Sequence, residues 1–317
     1  MGFIIRRLII TLITLFLVSL VTFAAFSLIP GDAALMTLGI EAQDEQLALL
    51  RAEMGLDRSF HEQYFSWLGS FLTGKLGSSA RFRGASISQM ILERLPVTKS
   101  LALLSFILII LISVPVSLLS VKKENSVLNR IVTSLTALGI STPGFFMGIV
   151  FIWIFGIVFR LFVPGAYVSY RESIIGFVGC LFFPALAIAL PNAALLVKFL
   201  RSSIIRELHC DYVRTARSKG GSWKFILQKH VLKNASLPVI TLLGMITGEI
   251  FSGSIVIEQV FGIPGIGRLL ISSIAARDYQ VIETLIIYIS FVVILANTLA
   301  DIALQIIDPR IRLAKKV

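Results

Sequence analysis

The chain has 317 residues, of which 56% are apolar and 15% charged, with a mean hydropathy of +0.90 and a formal net charge of +11. Such a composition points to a lipid bilayer as solvent and argues against a soluble enzyme. The excess of cations needs no nucleic acid to explain it, because anionic headgroups attract the same charge.

Apolar runs close to the roughly 20 residues needed to cross a bilayer as helix begin at Leu8, Ser100, Ile131, Ser173, Leu237 and Ile282. They predict an all-α polytopic membrane protein with six spans. The first run, Leu8 to Ile29, follows Arg6 and Arg7. It is longer than the roughly 7 to 15 residues of a signal-peptide core, so it is expected to stay as an uncleaved anchor. The organisation that follows is a tail and first span over 1–29, an outer helical segment over 30–99, and a five-helix core over 100–317 containing a polar loop at 198–236.

Within the outer segment, EAQDEQLALLRAEMGL from Glu41 reads as an amphipathic helix. HEQYFSWLGSFLTG from His61 sets Tyr64, Leu68 and Phe71 at helical spacing. The segment is either a small cap or a docking face for a soluble partner. GSFLTGKL from Gly69 approaches a phosphate-binding loop, but Leu76 replaces the hydroxyl that would hold magnesium and no strand precedes it. It is read as a turn.

The third span carries GISTPGFFMG, in which Pro143 removes a backbone donor and Gly139, Gly144 and Gly148 weaken the helix. A kink is expected there, serving either close helix packing or a path-lining bend. Glu249 in the fifth span and Asp301 in the sixth are expected to point inward, because a carboxylate facing lipid costs about 2.5–3.5 kcal/mol. For Glu249 a place on a translocation path competes with an interhelical hydrogen bond. Asp301, a turn from Asn297 and Gln305, is read as structural.

The polar loop contains DYVRTARSKGGSWKFILQKHVLKNASLP from Asp211. Trp223, Ile226, Leu227, His230 and Val231 share one helix face, Gly220 and Gly221 supply a left-handed turn, and Ser222 can cap the next helix. The reading is helix, glycine turn, short helix, either floating in the headgroup layer or acting as a lever on another protein. FGIPGIGRLL, with Gly262, Pro264, Gly265 and Gly267, is a rigid turn that faces a partner, forms a gate or serves packing alone.

Orientation follows from the cations. With both ends inside, the segments 1–7, 122–130, 198–236 and 307–317 hold 18 of the 29 Lys and Arg, a bias that fixes cytoplasmic termini. Cys180 in a span and Cys210 in the inner loop imply no disulfide. None of the three histidines, His61, His209 and His230, lies in a span or a metal-binding motif, and no metal site is expected.

Taken in order, PGD at Pro30, MGLDRSF at Met54, ERLPVTKSLAL at Glu93, GISTPGFFMG at Gly139 and LPNAALLVKFLRSSI at Leu190 resemble landmarks of ABC-importer permeases. So do DYVRTARSKG at Asp211, VFGIPGIGRLL at Val260, RDYQVIE at Arg277 and DPRIRL at Asp308. The likeness covers nearly the whole chain and is to the dipeptide, oligopeptide and nickel uptake branch. It implies the six-helix type I importer fold in a bacterial or archaeal cytoplasmic (inner) membrane. It also implies a homologous second permease, two cytoplasmic ABC ATPases that hold the ATP and magnesium, and an extracytoplasmic solute-binding protein, with no cofactor on this chain.

On that resemblance Arg214, Thr215, Ala216 and Gly220 align with the coupling motif, and Arg217, Lys219, Gly221, Trp223, Lys224, Ile226 and Leu227 belong to the segment that meets the ATPase. Pro143, Gly144 and Glu249 become candidates for the path, and Gly262, Pro264, Gly265 and Gly267 for an outer gate or docking turn. Arg214 stands where the wider superfamily has glutamate, and Ala33 where many relatives have a second proline. Glu249 is not a residue that the branch leads one to expect. The rival function is an ion-gradient-driven secondary transporter or channel, against which stand the large inner loop and the absence of a repeat between the halves. A membrane enzyme lacks a catalytic constellation.

Overall fold

The computed structural model describes residues 2–28, 43–53, 55, 57–79, 81–82, 84–121 and 126–307. The landmarks at Pro30 and Asp308, and Met54 of a third, lie outside them. The described residues are helical apart from turns and one isolated bridge between Ser78 and Ser86. The chain forms two compact units, one of residues 1–96 with 268–292 and the other of residues 97–267 with 293–317.

In the first unit, α1 (Gly2–Ser27), α2 (Asp44–Glu53) and α3 (Phe60–Leu72) precede the start of α4 (Ile87–Val121). The aromatic face expected from Tyr64 is buried against α1: Tyr64 is 2% exposed, its hydroxyl lies 2.7 Å from Ser19 Oγ, and Phe23 packs on Phe60, Tyr64 and Trp67. The α3 N-terminus is held by Glu62, which accepts from the Ser59 backbone amide at 3.1 Å and from its hydroxyl at 2.7 Å. These bonds draw the exposed Glu62 carboxyl below its ordinary range, with the Ser59 hydroxyl the larger cause. Asp278, buried just before α12 (Tyr279–Ile307), accepts from Ser79 Oγ and, at 3.4 Å, from the Arg81 amide, so it fastens the 78–86 hairpin.

The second unit is built on α7 (Ile174–Leu208). Its alanines 185, 187, 189, 193 and 194 are buried and let neighbouring backbones approach closely. Packed on it are α5 (Val127–Ser141), α6 (Gly144–Phe151, continued as a π-helix Ile152–Val158) and α10 (Leu232–Phe261). Between α7 and α10 come α8 (Asp211–Ser218), α9 (Trp223–Ile226) and a π-turn Leu227–Val231, and α11 (Ile266–Ala276) follows α10.

Among the described residues five helices are long and apolar enough to cross a membrane, and the sixth expected span passes only as the bent pair Asn129–Ser141 with Gly144–Val158. The kink expected at Pro143 is a bend of 104°. The glycines around it are used for packing as well. A Cβ at Gly139 would lie 2.7 Å from Ala194 Cβ, one at Gly148 3.0 Å from a Phe261 ring carbon, and one at Gly144 3.5 Å from the Ala187 carbonyl.

The spans also reach further than their apolar runs. The fourth continues to Leu208, and the fifth begins at Trp223, ahead of Leu237, and passes through Pro238 without ending. At about 1.5 Å per residue the 39 residues Trp223–Phe261 form a rod of about 58 Å. A hydrocarbon core is about 30 Å thick, so a large part of this rod must project beyond it. The end bearing Lys224, Lys229 and Lys233 is the part that suits water.

Candidate functional site: a basic turn, a long helix and a buried carboxylate

The polar loop resolves into a helix, a glycine turn and the first turns of the long rod. α8 buries Val213 and half-buries Ala216, while Asp211, Arg214, Thr215, Arg217 and Lys219 are exposed. Its end is a Schellman turn: the Gly220 amide donates to Arg217 O at 2.9 Å and the Gly221 amide to Ala216 O at 3.2 Å, with Gly220 at φ +82°. Gly221 is needed for a different reason, since a Cβ there would lie 2.9 Å from the Ala216 carbonyl. Ser222 then accepts from the Phe225 amide at 3.4 Å and opens the next helix.

The expected apolar face holds, with Ile226 and Val231 fully buried and Trp223, Leu227 and His230 half-buried, while Lys224, Gln228 and Lys229 are exposed. The expected short helix is corrected. α9 runs through the π-turn directly into α10, and Pro238, which removes one backbone hydrogen bond, does not end the helix. The Arg217 guanidinium lies 5.1 Å from the Trp223 ring centroid and ties the two arms of the turn together.

Sequence reasoning missed the brace behind this turn. Tyr212 donates to Glu207 Oε2 at 2.6 Å and accepts from Asn234 Nδ2 at 3.3 Å, so one ring joins α8 to the end of α7 and the start of α10. Partial removal from water, and next the bond to Glu207, push its hydroxyl up to about 12. The sign follows: the neutral donor is the favoured form, so the brace is intact below an ordinary tyrosine pKa of about 10 and fades as pH rises through about 12. Tyr212→Phe removes both bonds. Amide exchange across Asp211–Ser218 is expected to quicken about tenfold without loss of the folded chain; unchanged exchange overturns the brace.

Glu249, expected to point away from lipid, does not enter the packing between the helices of this chain. Its neighbours Gly248 and Ile250 are buried, but Glu249 itself is exposed, in line with Thr241, Met245, Ser252, Val256 and Gln259. Four of those six exposed residues are polar. By contrast the exposed stripe of α4, Leu103, Ile107, Leu111, Pro115 and Leu119, is wholly apolar and suits lipid. Asp301 is half-buried, and the Asn297 amide near it fills the space that a Cβ at Gly248 would enter, 2.9 Å away. Pro143 is exposed at the bend and Gly144 half-buried beside α7.

At the far end of the rod the glycines of FGIPGIGRLL have separate reasons. Gly262 closes α10 as a second Schellman turn at φ +70°, its amide donating to Gln259 O at 3.2 Å and that of Ile263 to Glu258 O at 2.9 Å. Gly265 and Gly267 are small because a buried carboxylate lies against them: a Cβ at Gly265 would sit 2.2 Å from Glu258 Oε2. Pro264 is half-buried in the turn. Glu258 is fully buried. Phe261, Gly262 and Ile263 also wall an aromatic cavity of about 250 Å³ with Phe162, Tyr167 and Phe183. Burial is the leading cause that raises the Tyr167 hydroxyl there.

Among the described residues no group of three or more His, Cys, Asp or Glu is placed to hold a metal, and both cysteines are free.

The model of the binding-protein-dependent transport system inner membrane component matches residues 113–313, and that of the N-terminal part of such membrane components matches residues 1–102. The oligopeptide transport system permease protein AppB of Bacillus subtilis is 33% identical over 98% of this chain and 99% of its own. A Sinorhizobium fredii protein provisionally named a peptide ABC transporter permease is 34% identical over 98% and 99% of the two chains. A Brucella abortus protein provisionally named a peptide transport system permease is 36% identical over 93% and 94%. With five apolar spans, a bent sixth and a match along nearly its whole length, the chain belongs to the family of binding-protein-dependent transport system inner membrane components, the permease subunits of ABC importers.

Proposed function

We propose that this chain forms one half of the path of an ATP-driven importer of peptides, with its 211–233 segment pressed into a cytoplasmic ATPase. The observation that carries the reading is the rod. A turn fixed by Gly220 and Gly221 and bearing exposed Arg214, Arg217, Lys219 and Lys224 is continuous with a 39-residue helix. That helix presents Glu249 on an exposed stripe. A turn that merely floated among headgroups has no need of a fixed angle or a rigid connection.

The complement of partners is a homologous second permease, two ATPases holding ATP and magnesium, and a solute-binding protein on the other side of a prokaryotic inner membrane. The termini and the 198–236 loop face the cytoplasm, as the cation bias favours. Peptides are the cargo class that the named relatives support. The α10 stripe from Thr241 to Gln259 faces the second permease or the water-filled path, because a carboxylate exposed to lipid costs about 2.5–3.5 kcal/mol. ATP binding closes the ATPase pair, the seated turns move with it, and the rods exchange an inward opening for an outward one.

The test is chemical bridging from Trp223→Cys, in a chain whose Cys180 and Cys210 are replaced by serine, within the assembled transporter. The expected adduct is with the ATP-hydrolysing subunit. Bridging to lipid alone, or peptide uptake by this chain on an ion gradient without ATP, overturns the proposal.

A further inference from the structure

The buried carboxylate at the far end of the rod is not part of the coupling segment, yet it is held by closely fitted polar contacts. Glu258 Oε1 accepts from Thr98 Oγ1 at 2.6 Å, and Oε2 accepts from the Gly267 amide at 2.7 Å. Thr98 Oγ1 in turn accepts from the Ile266 amide at 2.9 Å. Ile266 and Gly267 are the first residues of α11, whose opening amides have no partner within their own helix. They are capped from a distance, one by the carboxylate and one by the hydroxyl it holds. A negative group at a helix N-terminus is favoured by the backbone dipoles as well as by the two bonds.

The surroundings leave this arrangement no slack. A Cβ at Gly267 would lie 2.3 Å from Ile255 Cα, and one at Gly265 would overlap the carboxylate. Thr98, Ser254 and Ile257 are buried with it, so water cannot take over the bonds. The last turn of α10, residue 98 of α4 and the turn 262–267 are therefore one body.

We propose that Glu258 is the positioning residue of the 262–267 turn, the link through which the far end of the 223–261 rod carries the turn and Thr98 with it. The rod begins at the coupling turn and ends in this lock, so a displacement entering at Trp223 leaves at the opposite end as movement of the turn as a whole. A turn joined only through Gly262, a flexible residue, would lag behind the rod. The functional part of this inference rests on the importer reading; the lock itself does not.

The experiment uses the assembled transporter in lipid nanodiscs, with Cys180 and Cys210 replaced by serine and Ile263→Cys, a buried position in the turn, as reporter for a small maleimide. Thr98→Val keeps the shape and removes the hydroxyl, Thr98→Ser keeps the hydroxyl, and Glu258→Gln keeps one acceptor oxygen in place of two. Thr98→Val and Glu258→Gln are expected to speed labelling about tenfold and to cut peptide uptake about as much, while Thr98→Ser stays within about twofold of the parent. The rescue by serine separates the lost bond from lost packing.

Unchanged labelling in both Thr98→Val and Glu258→Gln overturns the lock even where the parent imports peptide. Faster labelling with unimpaired uptake overturns the positioning role. Failure of Thr98→Val to assemble where Thr98→Ser does so also overturns it, in favour of a purely structural role. A parent that takes up no peptide, with labelling behaving as expected, sinks the importer reading and leaves the lock standing.

Discussion

Gly267→Ala is expected to cut recovery of the assembled transporter sharply. The new methyl carbon would sit 2.3 Å from Ile255 Cα and 3.0 Å from Glu258 Oε2. The first neighbour is backbone in the middle of a packed helix and cannot rotate away. Relief requires α11 to move off α10, which breaks the 2.7 Å bond from the Gly267 amide to Glu258. A hydrogen bond to a charged group costs about 1.5–3 kcal/mol when lost, and forced overpacking adds about 1–3 kcal/mol. Against a total stability of about 5–15 kcal/mol the sum is a large share. Gly253→Ala on the same α10 helix is the control, because a Cβ there meets nothing within 4 Å. It is expected to be neutral or to stabilise by up to about 1 kcal/mol through helix propensity. Size-exclusion chromatography of detergent-solubilised complexes measures both, and a normal monodisperse peak for Gly267→Ala refutes the steric reading.

What the sequence made legible was local. Gly220, Gly221 and Ser222 announced their turn because each acts on atoms a few residues away. The break at Pro143 was equally plain, since the missing donor belongs to the residue itself. The angle of 104° was not legible, because it depends on which surface Gly139, Gly144 and Gly148 meet, and that surface is α7. That Glu249 lies on an exposed side could not be read from its neighbours in sequence. Residues one position away on a helix point elsewhere, and the residues that share its face, Met245, Ser252 and Val256, carried the signal that its side is only partly apolar.

Glu258 and Thr98 are 160 positions apart. No period or motif length joins them, and the only hint was a glutamate standing just ahead of a run of glycines too small to be needed for a turn alone. The continuity of α9 with α10 was hidden by Pro238 and the polar residues before it, which read as a loop. Proline in a membrane helix need not end it when neighbouring groups satisfy the freed carbonyl.

Gly220→Pro is expected to leave the chain inserted in the membrane while abolishing substrate-stimulated ATP hydrolysis. Gly220 sits at φ +82° and donates its amide to Arg217 O at 2.9 Å. Proline holds φ near about −65° and has no amide to give, so the Schellman turn cannot form. The arms of the turn then separate, the Arg217 guanidinium leaves the Trp223 ring, and α8 no longer presents its exposed cations at a fixed angle to the rod. Insertion depends on the apolar spans, none of which includes Gly220, and so it survives. Gly220→Ala provides the graded comparison. A left-handed backbone costs an alanine about 1–2 kcal/mol, and no atom lies within 4 Å of the added carbon. Alanine is therefore expected to weaken stimulation about tenfold without removing it. Equal stimulation in the proline variant and the parent means that coupling does not pass through this turn.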